Sequence, residues 1–175
     1  AIFEDEAKIS MSNLCQEITL PTTPLTSPTD GVGEIALCIL SAINVGQMTN
    51  DFKELPELCD LAVRALDEVI DYQNYPVIAA EISTKKRRSL GIGYIGLAHF
   101  LAKNKVKYDD KEAHKLVHRL TEHFQFNLLK TSVELSKEKG ECEGWSETKY
   151  FGGLLPIDHY KKDVDEIVKP EYECD

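Results

Sequence analysis

The chain has 175 residues, 42% of them apolar and 29% charged, with a formal net charge of -10. That length fits one domain, residues 1–175, with a buried core, and the acidity argues against a general nucleic-acid or membrane-surface binder because phosphates are repelled. No apolar run approaches the roughly 18 residues of a membrane span, and no charged start followed by an apolar core marks a secretory signal.

The predicted elements run as follows. Residues 1–11 are a polar lead-in. Ser12-Asn13-Leu14-Cys15-Gln16-Glu17-Ile18-Thr19 reads as a strand or extended loop. Pro21, Pro24, Pro28 and Gly31 make a turn-rich connection. Residues 33–44 are a nearly unbroken apolar run, bounded by glycine and asparagine, and read as a strand buried on both faces. From about Glu54 to Tyr72 the apolar residues keep to one helical stripe, and Pro56 suits the first turn. A polar loop ends in Lys85-Lys86-Arg87-Arg88. Residues 89–96 form a second buried strand, followed by a short helix over Leu97–Lys103. Asp109 or Asp110 caps a long helix to about Lys139, ended by Gly140. The remainder is loop with short helical pieces. Strand, helix, strand, helix implies an α/β fold with parallel pairing.

Five cysteines, Cys15, Cys38, Cys59, Cys142 and Cys174, lie at wide spacings with no Cys-x-x-Cys pair. They suggest neither a zinc ribbon nor a disulfide scaffold, and a reducing, cytoplasmic setting is expected. The chain begins at Ala1 and stops at Cys174-Asp175 with no element completed. The expectation is a piece of something longer.

Five features invite a functional reading. Gly91-x-Gly93-x-x-Gly96 matches a dinucleotide fingerprint by letter, but its glycines lie inside the apolar run and a basic stretch precedes them. A strand packed closely against its neighbours is the plainer reading. His114, His118 and Glu122 lie four residues apart in turn, but towards solvent, with no fourth ligand and no His-Glu-x-x-His pattern, so an exposed polar face is favoured over a metal site. Lys85–Arg88 can touch a phosphate, and a solvated loop is the favoured alternative. In a strand, Asn13, Cys15 and Glu17 share one face, about 6–7 Å apart in turn. That row can bracket one small polar molecule; it can equally carry no function. No histidine stands near Cys15 in sequence to make a thiolate, and Glu17 raises a thiol pKa by like-charge repulsion. Such a thiol suits hydrogen-atom transfer better than papain-like attack. Cys38, in the buried run, is either a small apolar residue or a redox thiol.

The stretch SNLCQEITLPTTPL followed by GEIALCILSAIN closely resembles the active-site segment of the large, catalytic (alpha) subunit of class I ribonucleotide reductases. The resemblance continues through LAVRALDEVIDYQNYP, RRSLGIGYIGLAHFLAK and GGLLPIDHYKKDVD, and is nearest to the phage and bacterial aerobic branch. It implies part of a ten-stranded α/β barrel with an inserted finger loop. It implies that Cys15 becomes a thiyl radical and abstracts the 3′ hydrogen of a ribonucleotide. Glu17 matches the base that takes the 3′-hydroxyl proton, and Asn13 the substrate-binding asparagine. Cys38 matches one member of the redox pair that reduces the 2′ position; its partner lies upstream in the family. Cys59, Cys142 and Cys174 match no functional position. The resemblance further implies a ribonucleoside diphosphate substrate, a small (beta) subunit with a metal and tyrosyl-radical centre, ATP and dNTP effectors acting elsewhere, and thioredoxin or glutaredoxin as reductant. No cofactor is expected on this stretch itself. A non-catalytic split-gene piece that acts only by assembly is the first alternative, and a stand-alone dinucleotide-binding domain the second.

Overall fold

The computed structural model describes residues 9–12, 18–27, 29 and 31–158. The chain divides into two compact units, one comprising Ala1–Leu37, Pro76–Arg87 and Cys142–Asp175, the other Cys38–Tyr75 and Arg88–Glu141.

In the first unit, strands β1 (Ile9–Ser12) and β2 (Thr19–Pro21) pair antiparallel, with Met11 opposite Leu20 and Ser12 opposite Thr19. The register slips between Ile9 and Met11. Leu20 is buried with Ala36, and Ile18 packs on them. The next element of this unit is helix α2, Ile78–Arg87. Its end is tied down by charge. The Glu34 side chain, 3% exposed, accepts bonds from Arg87 Nη1 at 2.7 Å and Nη2 at 3.2 Å, and the Arg87 side chain is 6% exposed. Glu34 also accepts the Thr23 N–H at 2.7 Å. A short 3₁₀ turn, Glu143–Glu147, lies against the same helix end. A Cβ on Gly144 would stand 3.0 Å from Arg87 Cγ and 3.2 Å from the Lys86 carbonyl, so a larger residue here would push these neighbours back by a few tenths of an ångström.

The second unit is a β–α–β–α–α arrangement. Strands β3 (Ile39–Asn44) and β4 (Leu90–Ile95) pair parallel along their whole length, from Ile39 opposite Leu90 to Asn44 opposite Ile95. Helix α1 (Leu55–Tyr72) starts with Pro56 in its first turn and packs on β3 and on α4 (Lys111–Lys139). Helix α3 (Leu97–Lys103) follows β4 directly, and Gly140 closes α4 with φ +89°. Ile43, Val45, Met48, Phe52, Leu55, Cys59, Phe100, Leu120 and Phe124 form the core. The α/β class with parallel pairing expected from the sequence is present. Among the described residues the strands form two two-stranded sheets and close no barrel.

Three expectations need correction. The apolar run 33–44 is a strand only from Ile39. Upstream, the Glu34 and Ile35 N–H groups go to the carbonyls of Thr23 (2.9 Å) and Ala79 (3.1 Å), so they are spent outside the ladder. The two strands are not buried on both faces. Leu40 is 51% and Ile95 55% exposed, because the core lies on one side of the pair only. Lastly, Lys85, Lys86 and Arg87 form the last turn of α2 rather than a loop, where cations complement the helix dipole. Among the described residues, no helix is long and apolar enough to cross a membrane.

Candidate functional site

Asn13, Cys15 and Glu17 lie outside the described residues, but the frame on either side of them is described. β1 ends at Ser12 and β2 begins at Thr19, and these two residues are paired. The Ser12 hydroxyl donates to the Ile18 carbonyl at 2.9 Å. Residues 13–17 therefore connect two backbone positions that are held together by a ladder pair and by a side-chain bond.

Cys38 is described in the second unit. It is a half-buried thiol immediately ahead of β3. The Ile39 N–H donates to the Ser89 carbonyl at 3.3 Å, which opens the β3–β4 ladder beside it. By period-two alternation Cys38 falls on the side of Leu40, Ala42 and Asn44. Their register partners are Gly91, Gly93 and Ile95. This side of the sheet is away from the core, which is met by Ile43, Ile92 and Tyr94. A Cβ on Gly93 would meet nothing within 4 Å.

The other thiols differ. Cys59 is fully buried, its S–H donates to the Phe124 carbonyl at 3.9 Å, and burial pushes its pKa up to about 11. It is a neutral core residue at physiological pH. Cys142 is half-buried, with its S–H directed at the Arg87 carbonyl at 3.7 Å.

Two charge clusters fix backbone without offering a reactive group. In the first unit, burial by itself would raise the Glu34 pKa, but the hydrogen bonds and charge of Arg87 outweigh it and hold the carboxyl below its usual value. Arg87 Nε lies 3.3 Å from Glu147 Oε2 without the alignment of a hydrogen bond. In the second unit, Arg88 has φ +46° and gives its guanidinium to Asp67 Oδ1 (2.7 Å), the Asp67 carbonyl (2.8 Å) and both oxygens of Asp71 (2.9 and 2.8 Å). Lys139 Nζ reaches Asp67 Oδ2 at 2.9 Å and also contacts Glu68. Burial pushes the Asp67 carboxyl up, and the Arg88 and Lys139 bonds more than reverse it.

Of the remaining sequence candidates, Gly91 and Gly93 lie within β4, and Gly96, at φ +78°, is the N-cap of α3. Close approach occurs at Gly96, where a Cβ would stand 2.6 Å from Asn44 Oδ1 and 3.0 Å from the Gly46 nitrogen; around Gly93 there is open space. His114, His118 and Glu122 are all exposed on α4. Among the described residues, no three His, Cys, Asp or Glu side chains are grouped so as to hold a metal ion. Sequence reasoning missed the Ser12–Ile18 bond and the Glu34–Arg87 pair. A serine next to the polar row was a visible signal for the first; nothing in the sequence joined Glu34 to Arg87, which lie 53 residues apart.

The family model for the ribonucleotide reductase barrel domain matches residues 2–173. The chain is 56% identical over 161 residues to the ribonucleoside-diphosphate reductase subunit alpha of Buchnera aphidicola subsp. Schizaphis graminum, covering 92% of this chain and 21% of that protein. It is 51% identical over 161 residues to ribonucleoside-diphosphate reductase 1 subunit alpha of Escherichia coli K12, covering 92% and 21%. It is 45% identical over 172 residues to the subunit alpha of Enterobacteria phage T4, covering 98% and 22%. The resemblance to the bacterial and phage branch is borne out. The chain spans about a fifth of the length of these relatives.

Proposed function

Because the chain belongs to the ribonucleotide reductase barrel-domain family, we propose that it acts as the central part of the catalytic alpha subunit of a ribonucleoside-diphosphate reductase. The observation that carries this reading is the family match over residues 2–173, which takes in every motif in order. In this reading β3 and β4 are two strands of a ten-stranded α/β barrel. Their one covered and one bare face suits a barrel wall, with helices outside and the bare face inward. Residues 13–17 are the finger loop.

Cys15, as a thiyl radical, takes the 3′ hydrogen atom of a ribonucleoside diphosphate and becomes a thiol. Glu17 accepts the 3′-hydroxyl proton, and Asn13 orients the ribose by hydrogen bonding. The 2′ hydroxyl leaves as water. Cys38 and a cysteine upstream of this chain supply two electrons and two protons between them and close a disulfide. Cys15 then returns the hydrogen atom to the 3′ carbon, and Glu17 returns its proton to the 3′ oxygen. Each turnover thus converts one ribonucleotide and two thiols into one deoxyribonucleotide, one disulfide and one water. Thioredoxin or glutaredoxin reopens the disulfide. The beta subunit's metal and tyrosyl-radical centre supplies the radical when bound. ATP and dNTP effectors act on parts of the alpha subunit outside this chain.

The test is tritium release from 3′-labelled substrate, the fraction that exchanges from the Cys15 thiol into water before the hydrogen is returned, by the alpha subunit carrying this chain, with its beta subunit. Cys15→Ala abolishes release under every reductant. Cys38→Ser still releases tritium but diverts the intermediate to free base. Glu17→Gln slows the step after abstraction by on the order of 10²–10⁴-fold, the worth of a positioned base. Wild-type tritium release from Cys15→Ala would show the reading to be wrong.

A further inference from the structure

We propose that Arg88 is a positioning residue for the redox thiol of Cys38, acting through the Ser89 carbonyl beside it. The inference rests on the reading of Cys38 above. Every residue that carries it is described and lies in the second unit.

The head of the β3–β4 ladder is poorly served by apolar packing. The core is met by Ile43 of β3 and by Ile92 and Tyr94 of β4. Among the described residues, none of 38–41 or 89–91 belongs to it. The bond that opens the ladder, from the Ile39 N–H to the Ser89 carbonyl, is 3.3 Å long, against a usual value of about 2.9–3.0 Å. One long bond is a weak hold on a strand end.

The side chain of Arg88 supplies the firmer hold. Its backbone has φ +46°, a left-handed conformation that a residue with a Cβ takes only against a steric cost. The guanidinium pins it there. Nε donates to Asp67 Oδ1 at 2.7 Å and Nη2 to the Asp67 carbonyl at 2.8 Å. Nη1 and Nη2 donate to the two oxygens of Asp71 at 2.9 and 2.8 Å. Such a fork fixes direction as well as distance. Its base is firm. Asp67 and Asp71 lie one turn apart on α1, Leu66 and Ile70 are buried beside them, and α1 packs on β3 itself. Lys139 of α4 holds the second oxygen of Asp67 at 2.9 Å.

Arg88 and Cys38 each stand one residue from an end of the Ser89–Ile39 bond. A turn at Arg88 that is free to move carries the Ser89 carbonyl with it, and the Ile39 N–H and Cys38 follow. A misplacement of about 1 Å at a reacting group costs roughly 10²-fold. Hydrogen abstraction by Cys15 does not use Cys38, so loosening Arg88 changes the fate of the substrate radical and not its formation.

The experiment uses the full alpha subunit carrying this chain with its beta subunit and dithiothreitol as reductant, in four variants. Arg88→Met removes the fork, and Asp67 keeps Lys139, so its buried charge is not stranded. Arg88→Gly also removes the fork but takes the left-handed backbone without steric cost. Asp71→Ala removes two of the four bonds at an exposed carboxylate. Cys38→Ser tests the parent reading. Three products are measured: tritium released from the 3′ position, deoxynucleotide and free base. The expected ratio of free base to deoxynucleotide rises about ten- to hundred-fold in Arg88→Met and Arg88→Gly, with tritium release within about three-fold of wild type. Asp71→Ala falls between these and wild type. Loss of folded enzyme alone lowers all three products together and leaves their ratio unmoved; this outcome overturns the proposal. So does a wild-type ratio in Arg88→Met. A raised ratio in Met beside a wild-type ratio in Gly also overturns it, since the guanidinium is then dispensable. Should Arg88→Met fail to fold, a wild-type ratio in Asp71→Ala is the overturning result. If Cys38→Ser forms deoxynucleotide like wild type, the reading of Cys38 fails and the inference falls with it. If Cys38→Ser releases base and Arg88→Met does not, the inference about Arg88 alone is wrong.

Discussion

The Glu34–Arg87 pair gives the sharpest stability prediction. Both side chains are nearly fully buried, and Arg87 places two nitrogens on Glu34 at 2.7 and 3.2 Å. Removing one partner of a buried pair costs about 3–5 kcal/mol, because the other charge stays behind uncompensated. Among the described residues, Glu34→Met leaves Arg87 only the Glu147 carboxylate, at 3.3 Å and poorly aligned, so about 3 kcal/mol is expected. Arg87→Met leaves Glu34 the Thr23 N–H and Lys86 Nζ at 3.9 Å, so about 2 kcal/mol is expected. The double Met variant strands no charge, since Lys86 and Glu147 keep each other at 3.0 Å. Its cost is the unmade Thr23 bond and imperfect repacking, about 2 kcal/mol. The singles together therefore exceed the double by about 3 kcal/mol, which is the coupling of the pair.

Urea unfolding followed by tryptophan fluorescence reads this directly. Trp145 is the chain's one tryptophan, lies in the same unit and sits in the turn that carries Glu147. At a slope of about 1.5 kcal/mol per M, a loss of about 3 kcal/mol lowers the midpoint by about 2 M. The pH dependence follows in sign. Glu34 titrates below its ordinary value when folded, so its contribution is complete above the unfolded value of about 4.3 and is lost as pH falls through the folded one. The gap between wild type and Glu34→Gln should be flat from pH 7 to 5 and close below about pH 4. A double variant as unstable as the two singles combined would refute the reasoning.

Gly96→Ala should destabilise by about 2–4 kcal/mol in thermal unfolding, since it adds left-handed strain to a Cβ 2.6 Å from Asn44 Oδ1. Gly93→Ala, with open space around it, should stay within about 1 kcal/mol of wild type. The stretch Gly91–Gly96 should bind neither NAD nor ATP; saturable binding that is lost in Gly93→Ala would overturn its reading as a plain strand. Cys59 should resist iodoacetamide at pH 8 in the native chain and react on unfolding, because burial holds its pKa near 11; labelling at the rate of an exposed thiol would contradict its place in the core.

The helices were legible where local signals agreed with burial. α1 shows an apolar stripe with proline in the first turn, and α4 a stripe ended by Gly140. α2 was not legible. Its apolar residues gather in its first half and its end is three cations, so no stripe runs through it. What holds that end is Glu34, 53 residues away, and the close approach of Gly144. The run 33–44 misled for a related reason. Its residues look alike in hydropathy, but the N–H groups of Glu34 and Ile35 are taken by Thr23 and Ala79. At the candidate site, Cys38 could be picked out from the family pattern, whereas the aim of the Ser12 hydroxyl across a six-residue separation could not.

The place of Cys38 bears on the chemistry proposed for it. The chain passes from one unit to the other between Leu37 and Cys38, and again between Arg87 and Arg88. The neighbouring arginines are each secured within their own unit, Arg87 on Glu34 and Arg88 on Asp67 and Asp71. The β3–β4 ladder opens just beyond, with Ile39 bonded to Ser89. Cys38 thus stands one residue outside the ladder, with fixed backbone on its C-terminal side. A redox thiol must bring its sulfur to about 2.05 Å from a second sulfur and release it again in every cycle. Within the ladder, that movement would strain hydrogen bonds on both sides of the residue. At the head of the strand, the ladder holds direction while the residue itself adjusts, and the paired strands need not break. Moving the cysteine two residues along, by Cys38→Ser with Leu40→Cys, keeps the thiol on the same face but inside the ladder. That enzyme should behave as Cys38→Ser does, releasing tritium without forming deoxynucleotide. Normal turnover from the shifted cysteine would show that its position at the strand head is immaterial.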